Sequence, residues 1–189
     1  MSKPLRLAVL LAVVTVAAWT VVKPVRALTP ALAGVTCYPA NVCSDNASRL
    51  GEAEDLYNEG VAFIANTLSP LQEAPRVIFC SSEACVETFG LGERSAVTVG
   101  GSTVIGPRAW LPHYVRHELI HQLQAEKLGV VGLLFKPTWF VEGMAYSLSE
   151  DPRRPLAEPW EGHRSRFEAW FRGMKTKDLW RRAREGPVS

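Results

Sequence analysis

Pro112-His113-Tyr114-Val115-Arg116-His117-Glu118-Leu119-Ile120-His121-Gln122-Leu123-Gln124-Ala125-Glu126-Lys127-Leu128-Gly129 is the stretch on which the reading of this 189-residue chain turns. Proline is well tolerated in the first turn of a helix, where its missing N–H costs nothing, and glycine commonly stands just past the last turn. The spacing therefore predicts a helix over 112–128 that stops at Gly129. Inside it lies His117-Glu118-x-x-His121. At about 100° per residue the two histidines sit about 40° apart, one turn from each other on one face. Two imidazoles so placed can hold one metal ion at about 2.0–2.1 Å. Glu118 projects about 60° from His121, beside that point, where a carboxylate can accept a proton from water activated by the ion. His113 lies one turn earlier on nearly the same face and is read as a solvent-facing or supporting histidine.

A catalytic zinc site wants three protein ligands and one open position, so two histidines do not complete it. One continuation of the motif would put Gly at 124 and His at 127, but Gln124 and Lys127 stand there. The third ligand is then expected on the next helix, predicted from near Thr138 to before Pro152. There Trp139-Phe140-Val141-Glu142-Gly143-Met144-Ala145 supplies Glu142, 21 positions after His121. The expected metal ligands are His117, His121 and Glu142, and the expected cofactor is Zn2+.

With these residues in place, the chain resembles the gluzincin metallopeptidases, the thermolysin-like and aminopeptidase-like group that shares H-E-x-x-H with a glutamate on the following helix. Trp139, Glu142, Gly143 and Ala145 stand as that group's W-x-x-E-G-x-A pattern, and the resemblance covers Ala96 to Asp151. It implies a zincin-like domain in which His117, His121 and Glu142 bind zinc and Glu118 is the general base. It also implies that an extended substrate adds to a strand before the active-site helix, either Ala96–Val99 or Thr103–Ile105. The G-x-M-E-N segment with which aminopeptidases hold a free amine has no counterpart, since Val99-Gly100-Gly101-Ser102-Thr103 occupies the region before His117, so endopeptidase action is expected over aminopeptidase action. Tyr146 stands where the thermolysin pattern has an aspartate that orients a histidine, so that orientation is expected from elsewhere, such as a backbone carbonyl. Tyr146 and His163 are the candidates for stabilising the oxyanion.

Around the motif the pattern is α+β: a small, partly antiparallel sheet packed on helices, one of which carries H-E-x-x-H. Ser44 or Asp45 can cap a helix through about Leu68, whose apolar positions Leu50, Ala53, Leu56, Tyr57 and Ile64 share a face. Arg76–Cys80 reads as a buried strand and Ser82–Phe89 as a short helix or turn. Ala96–Val99 and Thr103–Ile105 flank Gly100-Gly101, a two-residue hairpin signal. Val130–Phe135 is expected to pack in the interior. From Trp160 onward a helical stretch carries Phe167, Trp170, Phe171 and Met174 at core-facing spacing, with eight bases and two acids between Arg164 and Arg184. The stripe is expected to pack on the domain and leave the bases in water.

Leu7 to Val22 is apolar except for Thr15 and Thr20, and Lys3 and Arg6 precede it, which reads as an export signal. Residues 1–27 are assigned as a signal peptide or an N-terminal membrane anchor, with a membrane association through residues 5–22. Residues 28–43 are a connector and 44–189 the zincin-like domain. Cys37, Cys43, Cys80 and Cys85 form an even set in a chain read as exported, and local pairing, Cys37 with Cys43 and Cys80 with Cys85, is expected. The location is therefore extracytoplasmic. With 21 Lys+Arg against 19 Asp+Glu the net charge is +2, too small a field to argue for nucleic acid. The expected function is an exported zinc peptidase acting on peptides or proteins. The alternative is a non-catalytic zinc-binding interaction or assembly module on the same fold.

Overall fold

Val42-Cys43-Ser44, Arg76-Val77-Ile78-Phe79 and Ser102-Thr103-Val104-Ile105 are short runs rich in β-branched residues, and in the computed structural model of the chain they make the parallel centre of one sheet. The structure describes residues 3–38 and 41–186, so the ends of the segments 1–27 and 44–189, and 39–40 within the connector, lie outside the described residues. The strands are β1 (Thr36–Cys37), β2 (Val42–Ser44), β3 (Arg76–Phe79), β4 (Ala96–Val99) and β5 (Ser102–Ile105), in the order β1-β2-β3-β5-β4. β1 pairs antiparallel with β2 and β4 with β5, so the fold is α+β with a mixed sheet.

The α-helices among the described residues are α1 (Lys3–Val21), α2 (Leu50–Thr67), α3 (Glu83–Phe89), α4 (Pro112–Leu128), α5 (Val130–Leu134), α6 (Thr138–Leu148), α7 (Trp160–Phe171) and α8 (Thr176–Glu185). Strand alternation divides the interior in two. Val42, Val77, Phe79 and Ile105 face a large core shared with α2, α4, α6, α7 and α8. Cys43, Ile78 and Val104 face a smaller one, covered by α3 together with Ala27 and Val35. Phe167 is buried in the large core, with Trp170 and Phe171 packed against it, as the aromatic stripe requires. α2 crosses α4 closely at Gly60, where an added Cβ would lie 2.8 Å from Leu119 Cδ1.

Four expectations are corrected. Neither Ser44 nor Asp45 caps α2: it is entered through a 3-10 turn, Ala47–Arg49, capped by Asn46, whose side chain accepts from Ser48 N, and α2 itself has no side-chain cap. Asp45 instead accepts from Ser81 N and Ser82 Oγ, bridging to the end of β3. The stretch from Trp160 is two helices, because Gly173 takes φ +76° between α7 and α8. Val130–Phe135 is not interior: Val130, Val131, Leu134 and Phe135 are 65–82% exposed on the short α5 and just after it. Finally, the membrane association through residues 5–22 is overturned, since no helix among the described residues is long and apolar enough to cross a membrane. The physical reason is length: from Leu7 to the helix end at Val21 the apolar run covers about 22 Å, against about 30 Å of hydrocarbon.

The expected cysteine pairs are both present. Cys37–Cys43 joins β1 to β2 at directly paired positions, and Cys80–Cys85 ties the end of β3 to α3. Two disulfides point to an oxidising, extracytoplasmic environment.

Candidate metal centre

α4 runs from Pro112 to Leu128, with Leu111 extended before it and Gly129 closing it at φ +77°. Its buried positions Val115, Leu119, Ile120 and Leu123 fix its rotation against the large core, so His117 and Glu118 are held in a protected setting. α6 packs beside it through Phe140, Met144 and Ala145, and this brings Glu142 opposite the two histidines. His117, His121 and Glu142 each offer a ligand atom, and these atoms lie within 4.8 Å of one another. The histidine Nε2 atoms are 3.1 Å apart, His117 Nε2 is 3.6 Å from Glu142 Oε2, and His121 Nε2 is 3.7 Å from Glu142 Oε1. Tetrahedral bonds of about 2.0–2.1 Å would set ligand atoms about 3.3 Å apart, so the three donors already stand close to the edges of such a site. The group fits a divalent metal and matches the gluzincin arrangement of H-E-x-x-H with a downstream glutamate. Glu118 is not one of its members.

Two further features prepare these donors. Gln124 Oε1 lies 2.9 Å from His121 Nδ1, and Gln124 Nε2 donates to Val141 O at 2.9 Å. Because the amide nitrogen is committed to Val141, the amide oxygen faces the ring and accepts from Nδ1–H, which leaves the His121 Nε2 lone pair for a metal. The expected orienting carbonyl is thus a side-chain amide, buried at 0% exposure. Glu142 is the second case. Burial pushes its carboxyl up, but the adjoining imidazoles of His117, His121 and His163 outweigh it and hold the carboxyl below its usual range.

Tyr146 follows Glu142 by one turn, and its ring meets that of His117 at 4.4 Å between centroids. Burial, reinforced by the Glu142 charge, pushes its phenol up to about 12, so it remains a hydrogen-bond donor at neutral pH. His163 comes from α7. An added Cβ on Gly143 would sit 2.2 Å from His163 O, so the missing side chain lets α7 close onto α6 beside Glu142. The Trp160 ring, at the start of α7, lies 5.8 Å from those of both Tyr146 and His163, tilted to the first and edge-on to the second. His113 stays out of the cluster: its ring lies on Tyr114, burial pushes it down, and its Nε2 is buried without a hydrogen-bond partner.

Sequence reasoning missed Gln124, Trp160 and Thr98. Thr98 on β4 donates to Glu118 Oε2 at 2.7 Å, a contact between positions 20 residues apart. Only the i,i+3 spacing of Gln124 from His121 could have signalled any of the three. No protein-family model, curated protein or solved structure matches this chain.

Three convergent donors from two helices leave a fourth position without a protein ligand among the described residues, which is the form of a catalytic site and not of a closed structural one. The arrangement is that of a hydrolase of the zinc-peptidase kind.

Proposed function

We propose that the chain is an exported zinc endopeptidase that cuts peptides or proteins outside the cytoplasm, with residues 1–27 serving as its export signal and 44–189 as the catalytic domain. The observation that carries this reading is the mutual spacing of His117, His121 and Glu142 with Glu118 beside them. His117, His121 and Glu142 would hold the zinc, which when bound would supply Lewis acidity toward the scissile carbonyl and toward water. Glu118 accepts the proton of the attacking water and delivers it to the departing amine nitrogen. Tyr146, protonated and one turn from Glu142, would donate to the oxygen that gains charge, with His163 as the second candidate donor.

The sheet supports one placement of substrate. β5 is paired on both sides, by β3 and β4, whereas β4 ends the sheet, with no further strand paired to it among the described residues. An extended peptide pairing with Ala96–Val99 would pass along the face that carries Glu118. Endopeptidase action follows from an edge that accepts chain on both sides of the scissile bond.

The test is hydrolysis of a mixed peptide library by the wild-type protein and by Glu118→Gln, each with its zinc content measured. Wild type should cut internal bonds, and the variant should keep one zinc per chain while losing about 10²- to 10⁴-fold in rate. Full activity in Glu118→Gln would contradict the mechanism, and a zinc-loaded wild type that cuts nothing would contradict the function.

A further inference from the structure

Glu118 does not lie loose beside the ligand cluster. Its Oε2 is the end of a chain of hydrogen bonds that begins one turn further along the same helix. Gln122 Nε2 is 3.3 Å from Thr103 Oγ1, Thr103 Oγ1 is 2.8 Å from Thr98 Oγ1, and Thr98 Oγ1 is 2.7 Å from Glu118 Oε2. Thr98 and Thr103 are directly opposite each other in the β4–β5 pairing, so the antiparallel register itself sets their contact.

The direction of the chain follows from donor and acceptor chemistry. An amide nitrogen only donates, and an ionised carboxylate only accepts. Each hydroxyl has one proton, so Thr103 accepts from Gln122 and donates to Thr98, and Thr98 accepts from Thr103 and donates to Glu118. One arrangement of protons satisfies every member, and Gln122, Thr103 and Glu118 are all buried, where such a chain is shielded from competing water. The Thr98 hydroxyl also lies 3.4 Å from Glu118 O, and its single proton goes to the nearer, charged acceptor.

We propose that Thr98 is a positioning residue for the reaction: by tying Oε2 of Glu118 to the edge strand, it fixes the carboxylate plane and leaves Oε1 to take the proton of the attacking water. The inference rests on Glu118 being the general base. Its consequence is that β4, whose outer edge would receive substrate, also sets the orientation of the base, so the strand that binds and the group that reacts are one rigid unit.

The experiment compares zinc-loaded wild type, Thr98→Val and Thr98→Ser in steady-state peptide hydrolysis, together with crystal structures of the zinc-loaded wild type and Thr98→Val. Valine keeps the shape and removes the hydroxyl, whereas serine keeps the hydroxyl and removes the methyl. Thr98→Val should bind one zinc per chain and retain KM within about 2-fold, while kcat falls about 10- to 100-fold, because a misplaced catalytic group costs on that order. Thr98→Ser should recover most of kcat, which a packing defect would not allow. An unchanged kcat in Thr98→Val, or a Thr98→Ser no better than Thr98→Val, would overturn the proposal. Should wild type prove inactive, the peptidase reading fails, and the structures still decide the positioning: a Glu118 carboxylate that turns in Thr98→Val supports it, and one that stays in place overturns it.

Discussion

Gln124 stands at a position where another branch of H-E-x-x-H proteins has glycine, and here its amide does two things: it fixes the His121 ring and bonds the backbone one residue before Glu142. A substitution there should act on the metal before it acts on the fold. Gln124→Leu removes the side-chain partner of His121 Nδ1 and the link to Val141 O, and zinc affinity should fall about 10- to 100-fold, as loss of a ligand-orienting group commonly does. Competition with a chelator of known affinity measures it. The His117–His121–Glu142 cluster was legible in sequence because helix periodicity alone places His117 and His121 together, and because Glu142 lies in a recognisable pattern. Gln124 and Thr98 were not, since their contacts cross from α4 to α6 and from β4 to α4, and no local spacing encodes which elements will touch.

At the scale of elements, the site depends on how α7 closes on α6. Gly143 has no Cβ to hold the helices apart, and His163 O lies where one would be, only 2.2 Å away. Backbone cannot yield as a flexible side chain does, so Gly143→Ala should cost about 1–3 kcal/mol or more through overpacking and should shift His163 from its place. Urea unfolding of the variant measures the first, and a fall in peptidase rate larger than the stability loss explains would report the second. Pro112, Gly129 and Gly100-Gly101 made α4 and the β4–β5 hairpin readable, because these residues restrict the backbone by themselves. β1 and β2 were not readable: strands of two and three residues show no alternation, and both owe their pairing to Cys37–Cys43 and to β3. The exposure of α5 escaped for the converse reason. Its residues are apolar, but five residues between two packed helices reach no second layer to bury them.

Across the whole molecule, the two disulfides close loops of sequence separation 6 and 5, so each should contribute only about 2 kcal/mol by restricting the unfolded chain. Mild reduction should lower the denaturation midpoint while leaving the metal ligands in place, which a zinc titration under reducing conditions would show. Acid stability has its own source. Burial raises the Asp151 carboxyl, but the hydrogen bonds and charge of Arg153 outweigh it and hold it below the usual value of 3.8; at Asp45 the bonds from Ser82 and Ser81 do the same. Both carboxylates are thus more acidic folded than unfolded. Their stabilisation is complete well above 3.8 and is lost as pH falls through that value toward the lower folded ones. Denaturation midpoints between pH 7 and pH 3 should fall less steeply in Asp151→Asn than in wild type, although the variant starts lower because Arg153 loses its buried partner.

Catalysis by this chain turns on what His117, His121 and Glu142 hold. Diffraction from crystals of the metal-loaded protein, recorded on both sides of the zinc absorption edge, identifies the ion and its neighbours together. One zinc should lie about 2.0–2.2 Å from His117 Nε2, His121 Nε2 and a Glu142 oxygen, with the fourth position facing solvent and Glu118 beside it. An ion that takes a fourth protein ligand, or a cluster that binds no zinc at millimolar concentration, would contradict a catalytic metal site.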